Sequence, residues 1–238
     1  MSTSTESANR PRRRLIPIAL VLLVLIGSGA AMWAATSSSG PASHPGPEGV
    51  AIVSVPDLAP ASTTLKGQNV GVITCRTESN QQIKDHRHVY VTVYVNGQQR
   101  RLPGGIGITQ PWLVEHFAKG DFYEVGPYNC AYWIHTHTPD GIVHVEAPVK
   151  GLGPFTLGQF FTIWNQPLSA NQVGPAKGHV TVYVNGRRHQ GDPRTIPFTD
   201  LSTIQINVGT PVAPITPLKF HVTGLCGAGT SSCTASGK

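Results

Sequence analysis

The sequence predicts a mainly β fold, an antiparallel, sandwich-like sheet domain with one or two short helices that follows a single N-terminal transmembrane helix. Three observations carry this prediction. The heptapeptide VTVYVNG occurs twice, at residues 91–97 and 180–186, and alternates side chains with the period of two of a half-buried strand. The chain has 26 Gly and 20 Pro, residue types that favour turns, which indicates many turns between short elements. An uncharged apolar run fills residues 15–35.

The N-terminal segment predicts a membrane anchor. Residues 15–35 are long enough, at 1.5 Å per residue, to span a hydrocarbon core of ~30 Å. The arginine-rich residues 1–14 are expected to form a cytoplasmic basic tail, which places the rest of the chain outside the cytoplasm. The alternative is a cleaved signal peptide, whose apolar region is usually only ~7–15 residues long.

The remaining chain divides by composition. Residues 36–69 are rich in Ser, Gly and Pro and predict a linker. Residues 70–221 are expected to form the extracytoplasmic β-rich domain, and the small, polar residues 222–238 a flexible tail.

The four cysteines of an exported chain predict disulfides, with three possible pairings. Cys226 and Cys233 are close enough in sequence to close a small loop. Cys75 and Cys130 would then cross-link the domain. No CxxC motif supports a thioredoxin-like redox site.

Charge argues against several classes of protein. Only 13% of residues are charged, about half of the usual ~25%, which disfavours disordered and coiled-coil proteins. Half of the net charge of +6 lies before the apolar run, and the rest of the chain has no cluster of Lys and Arg. We therefore expect no nucleic-acid partner, and no protein partner can be named.

The predicted elements follow in chain order. Each VTVYVNG copy ends in Asn-Gly, the preferred pair for a type I′ hairpin turn, so each predicts a hairpin. Further strands are expected at residues 142–147 and 204–208. One helix is expected between Thr156, as the N-cap of a capping box with Gln159, and Pro167. Its apolar face consists of Leu157, Phe160, Phe161 and Trp164.

Histidines are concentrated in two strand-like stretches. In the first, His86 and His88 share one face with Tyr90, and alternating valines from Val89 onward form the core face. The second, YWIHTHTPDGIVHVE at residues 132–146, predicts a hairpin. With a four-residue loop His135 lies opposite His144, and with a two-residue turn His137 does. Both registers place the three imidazoles, Trp133 and Glu146 on one face.

This face is a candidate metal site. Side chains on directly opposite residues start ~4.5–5.5 Å apart, so the imidazoles can converge on one cation. His135, His137 and His144 are expected to act as one unit, joined by His86 and His88 if their strand neighbours the hairpin, and by the Glu146 carboxylate. Imidazoles with a carboxylate suit copper or zinc. Two alternatives remain, namely separate surface histidines and a pH-responsive cluster.

Two resemblances add to this interpretation. WIHTH at residues 133–137 is similar to the WxHxH copper motif of multicopper oxidases, but the chain lacks their further copper motifs and their HCH element, so oxidase activity is not implied. From His86 to about Phe220 the chain resembles an uncharacterised family of membrane-anchored bacterial and archaeal proteins. The motifs are HRHVYVTVYVNG, YWIHTHTPDGIVHVE, TLGQFFTIWNQPL and VTVYVNGRR. This resemblance implies membrane anchoring and no particular reaction.

The sequence therefore predicts a single-pass membrane protein whose external domain binds or senses copper or zinc. Nucleotide-binding, serine-hydrolase and zinc-protease motifs are absent from the sequence, so we assign no catalytic residue and expect a binding protein more than an enzyme. The alternatives are a metal-dependent enzyme of unassigned substrate and an interaction module of the cell envelope that uses the sheet face without metal.

Overall fold

The computed structural model describes residues 43–61, 69–77, 82–118, 122–215, 218 and 220. The predicted basic tail, transmembrane segment and flexible tail lie outside these residues, as do Cys226 and Cys233. Among the described residues, no helix has the length and apolarity needed to cross a membrane.

The described part of the chain is mainly β, as predicted. Its strands are β1 (Ser43–Pro45), β2 (Ala51–Val53), β3 (Cys75–Arg76), β4 (Asp85–Val95), β5 (Gln98–Arg100), β6 (Trp112–Phe117), β7 (Phe122–Tyr128), β8 (Ala131–Tyr132), β9 (Ile134–His135), β10 (Ile142–Ala147), β11 (Leu168–Ser169), β12 (Gln172–Val173), β13 (Ala176–Lys177), β14 (Val180–Val184), β15 (Arg187–Arg188) and β16 (Thr203–Val208). The helices are α1 (Leu157–Trp164) and a 3₁₀ turn (Pro193–Thr195).

The central sheet has the strand order β15-β14-β16-β4-β10-β9, and β5 also pairs with β4. It is mixed, because β16 runs parallel to β4 whereas the other pairs are antiparallel. The prediction of an antiparallel sheet is therefore correct only in part. Alternation identifies a strand but carries no information about the direction of its partner, and the long connection from β4 to β16 permits a parallel crossover.

Both copies of the repeated heptapeptide form the predicted hairpins. β4 turns into β5 at Asn96 and Gly97, with φ of 51° and 76°, and β14 turns into β15 at Asn185 and Gly186, with φ of 49° and 77°. Positive φ at both central residues defines the type I′ turn, whose twist matches that of the strands.

The predicted helix is confirmed. The Thr156 side chain accepts a hydrogen bond from the Gln159 backbone N–H, and the Gln159 side chain accepts one from the Thr156 backbone N–H. The helix ends at Asn165, which adopts the left-handed conformation. Its apolar face is buried in the main hydrophobic core.

The main core lies on one face of the central sheet. Val89, Val91 and Val93 of β4 and Val143 and Val145 of β10 are all buried there. These are the residues that the alternation assigned to the core face. The opposite face of the same strands carries the histidines.

Part of the segment expected to be a linker packs on the domain. Within residues 43–61, β1 and β2 form a hairpin, and Val50 packs with Ile142 and Phe220 in a second small core on the histidine face. Gly46 is needed there because a Cβ would collide with the Val50 carbonyl oxygen. Composition predicted a linker because Pro and Gly dominate, but close-packed turns require the same residues.

One predicted disulfide is present. Cys75 on β3 and Cys130 beside β8 are joined, with their Cα atoms 5.5 Å apart. The bond links the segment at residues 69–77 to the hairpin that carries the histidines.

Candidate metal centre

Three adjacent strands bring the six predicted residues together. β10 pairs with β9 on one side, where His144 lies opposite His135, so the four-residue loop is the correct register. On its other side β10 pairs with β4, where His144 lies opposite His88 and Glu146 opposite His86. The strand with His86 and His88 therefore does neighbour the hairpin, which periodicity alone could not establish.

The histidine face is buried, whereas we expected it to face away from any core. His135, His144 and His88 are 0%, 4% and 7% exposed. Two elements cover them. The turn between β1 and β2 places Glu48 against His144. Strand β7 lies along His137, and the His137 carbonyl oxygen accepts a hydrogen bond from the backbone N–H of Val125 in β7. A polar face on a strand usually means that this face is exposed to solvent. Here the polar face is covered and forms a buried polar cluster.

Trp133 does not join this face. The strand is interrupted at Trp133, between β8 and β9, and its ring packs edge-on against Phe155 in the main core, under the Arg76 guanidinium. The prediction that placed Trp133 beside the histidines assumed unbroken alternation, and the interruption moves this side chain to the apolar side.

One group consists of His135, His137 and Glu146. His135 Nδ1 lies 2.7 Å from the Tyr132 carbonyl oxygen, and His137 Nδ1 lies 3.3 Å from the Val125 carbonyl oxygen. A carbonyl only accepts, so a ring that carries its proton on Nδ1 can donate it there. The Nε2 atom of that ring then keeps a free lone pair for a metal ion.

The two Nε2 atoms face each other. His135 Nε2 and His137 Nε2 are 2.9 Å apart, and Glu146 Oε2 lies 3.8 Å from His135 Nε2. At this distance the two nitrogens either share a proton in a hydrogen bond or bind one cation. If an ion bonded to both nitrogens at ~2.0–2.1 Å, the N–metal–N angle would be about 90°. Donation from Nδ1 to a backbone carbonyl is also the usual way in which proteins orient a histidine ligand.

A second group consists of His86, His88 and His144. The ring centroid of His88 lies 4.4 Å from that of His86 and 4.8 Å from that of His144. His88 Nε2 is buried and makes no hydrogen bond. His86 Nε2 and His144 Nδ1 are buried too, and both face Glu146 Oε1, at 3.3 Å and 3.7 Å. A buried nitrogen without a partner is uncommon in folded proteins, and ligation of a cation would satisfy His88 Nε2.

Sequence reasoning missed three acidic residues around the cluster. Glu48 Oε1 lies 3.0 Å from His144 Nε2, and Glu124 Oε1 lies 3.5 Å from His137 Nδ1. Asp140 is buried beside Glu48. Asp140 lies inside the recognised HTHTPDGIVHVE motif, so the motif offered a signal. No local pattern could have identified Glu48 or Glu124, because both reach the cluster only through tertiary packing.

Burial keeps most of the imidazoles neutral. Desolvation, assisted by neighbouring imidazoles, lowers the pKa of His88 and of His135 to about 3 and the pKa of His137 to about 4. These rings are therefore uncharged at neutral pH, which is the state that binds metals.

His144 is the exception. Burial alone would lower its pKa, but the Glu146 and Glu48 carboxylates outweigh burial and raise the pKa of His144 to about 10. Burial likewise opposes ionisation of Glu48, yet His144 and a hydrogen bond from Asp140 lower the pKa of Glu48 to about 2. Burial and the Glu48 charge raise the pKa of Asp140 well above its usual value. The cluster thus holds one imidazolium between two carboxylates.

Comparisons with known proteins identify no relative that would indicate a function. The chain matches no protein-family model, no curated protein and no solved structure. The geometry of the cluster is therefore the basis for proposing a function.

Proposed function

We propose that this chain is a membrane-anchored, extracytoplasmic protein whose β domain binds a transition metal ion, copper or zinc, through its buried histidine cluster. One observation carries the proposal. His135 and His137 direct their Nε2 atoms at each other across 2.9 Å, while the Nδ1 atom of each ring faces a backbone carbonyl oxygen. A backbone acceptor on Nδ1 is the usual means by which proteins orient a histidine that binds a metal through Nε2.

The location rests on two supports. The Cys75–Cys130 disulfide suits an oxidising compartment, because cytosolic thiols are generally kept reduced. The arginine-rich segment before residues 15–35 suits an anchor with its N-terminus in the cytoplasm. Together these features favour a domain displayed on the outer side of a membrane.

Binding is favoured over catalysis by the shape of the described part of the chain. Its two best-formed cavities are only about 20 Å³ and about 10 Å³, roughly the space of a single water molecule. Small-molecule sites usually measure ~300–1,000 Å³. An envelope module that uses the histidine face is also disfavoured, because β1, β2 and β7 cover that face.

Metal titration of the full-length protein tests the proposal. After chelator treatment, Cu²⁺ or Zn²⁺ should bind in stoichiometric amounts and raise the melting temperature, because an ion that binds only the folded state stabilises it. His137→Ala removes one of the two facing nitrogens and should weaken binding at least ~10–100-fold, the cost of losing even a supporting residue.

The matched control is His179→Ala, which removes an exposed histidine outside the cluster and should leave binding unchanged. Wild-type protein that takes up neither ion, with a melting temperature unaffected by both, would contradict the proposal.

A further inference from the structure

We propose that the cluster is a two-ion centre, in which the His135–His137 pair holds one metal ion, His86, His88 and His144 hold a second, and Glu146 bridges them. This inference rests on the proposed function and deepens it. A single-ion site would satisfy the proposed function equally well, so the number of ions is a separate claim.

The spacing of the ligand atoms argues against one shared ion. Atoms bound to one ion at ~2.0–2.1 Å are at most ~4.2 Å apart. The cluster separates into two sets, His86–His88–His144 and His135–His137–Glu146, in each of which the ligand atoms lie within 4.8 Å of one another. Small side-chain shifts would bring the atoms of each set within the ~4.2 Å limit. No described set that close contains all five histidines, so a single ion would leave part of the cluster unligated.

Each set offers enough ligands by itself. The first set supplies three buried imidazole nitrogens, of which His88 Nε2 has no hydrogen bond and the other two, His86 Nε2 and His144 Nδ1, face Glu146. The second supplies two facing imidazole nitrogens and a carboxylate. Three protein ligands of this kind are typical of copper and zinc sites that keep an open position.

Glu146 lies where a bridge is needed. Its Oε1 atom lies 3.3 Å from His86 Nε2 and 3.7 Å from His144 Nδ1, within the first set. Its Oε2 atom lies 3.8 Å from His135 Nε2, within the second set. The two oxygens of one carboxylate therefore point to different sets, and such a carboxylate can bind one ion through each oxygen.

Charge also favours two ions over one. Burying cations requires nearby anions. Besides Glu146, the Glu48 carboxylate lies against His144 in the first set, and the Glu124 carboxyl group lies against His137 in the second. Burial raises the pKa of Glu124 to about 7, and a cation beside Glu124 would favour its ionised form. Each half thus has an acidic group of its own in addition to the shared one.

Counting bound Cu²⁺ in the chelator-treated, full-length protein is the test. We expect about two ions per chain in the wild type and about one in His86→Ala, whose side chain is partly exposed and tolerates truncation. The double variant His86→Ala/His137→Ala should bind no ion tightly. Near-UV circular dichroism in chelator establishes that each variant is folded, and His179→Ala is the control.

Electron paramagnetic resonance of the loaded protein adds a test of the bridge. Two Cu²⁺ ions joined by a carboxylate, ~3.5–4 Å apart as in other two-metal sites, couple magnetically, so the signal should be weaker than that of two isolated ions. Glu146→Gln keeps the side-chain size but lacks the second anionic oxygen, and it should abolish the coupling.

The outcomes separate the two proposals. A wild type that binds one ion, or two ions with the full uncoupled signal, overturns the two-ion centre and leaves metal binding intact. A wild type that binds no ion overturns both.

Discussion

At the scale of single residues, the neutrality of the buried imidazoles is the property on which the centre depends. A protonated imidazole has no lone pair for a metal, and three rings avoid protonation because they are withdrawn from water. His144 differs from these three rings, because the carboxylates beside it raise its pKa to about 10 and it carries a second ring proton at neutral pH. Metal binding at His144 must therefore release a proton.

The lowered pKa of His88 predicts a particular acid sensitivity. The unfolded chain protonates His88 near its usual value of 6.5, whereas the folded chain does so only near pH 3. Between these values the unfolded state binds more protons, so this residue lowers the free energy of unfolding by up to ~1.4 kcal/mol per pH unit as the pH falls. Above about pH 6.5 His88 is neutral in both states and no longer lowers the free energy of unfolding.

Urea unfolding in chelator should therefore show wild type losing stability relative to His88→Gln as the pH falls from about 7 to about 4. The exposed-site variant His179→Gln should follow the wild type. Parallel curves for wild type and His88→Gln over this range would show that His88 is not kept neutral by the fold.

At this scale, sequence could predict which of the candidate ligands share a face, because alternation fixes the side of the sheet on which a side chain lies. His135 and His144 illustrate this, since both possible turns placed them together, and the structure selects the register. The tautomers could not be predicted. They depend on where the Tyr132 and Val125 carbonyl oxygens lie, and the second of these belongs to a different hairpin.

At the scale of elements, the β1–β2 hairpin covers the histidine cluster, which the composition of this segment did not predict. Its turn carries Glu48, which is 1% exposed and contacts the His144 imidazolium. Sequence predicted the strands of the central sheet because they alternate strongly. It missed this hairpin because its strands are three residues long and its burial depends on packing against the Asp140–Ile142 turn.

Glu48→Ala should accordingly destabilise the metal-free protein by about 3–5 kcal/mol, because it leaves a buried imidazolium short of one carboxylate. Glu115→Ala removes an exposed acid from β6 and should change the free energy of unfolding by less than ~0.5 kcal/mol. Urea unfolding of both variants in chelator measures the difference. Equal stabilities would mean that Glu48 does not hold the cluster.

At the scale of the whole molecule, the apolar run at residues 15–35 predicts that the chain is anchored in a membrane. These residues lie outside the part of the chain that the structure describes, so the anchor is tested separately from the metal centre.

Retention of the anchor is testable by N-terminal sequencing of the protein extracted from membranes. We expect residues 1–35 to be retained, because the apolar run is longer than that of a usual signal peptide. A mature chain that begins near Met32 or Thr36 would contradict the anchor and leave the external location in place.

Anomalous X-ray scattering from crystals loaded with Cu²⁺ or Zn²⁺ shows whether His135 and His137 hold a metal ion. We expect an anomalous peak about 2.0–2.1 Å from both Nε2 atoms, with each Nδ1 donating to its backbone carbonyl. No peak at this position in fully loaded crystals, or peaks only at histidines outside the cluster such as His179, would contradict it.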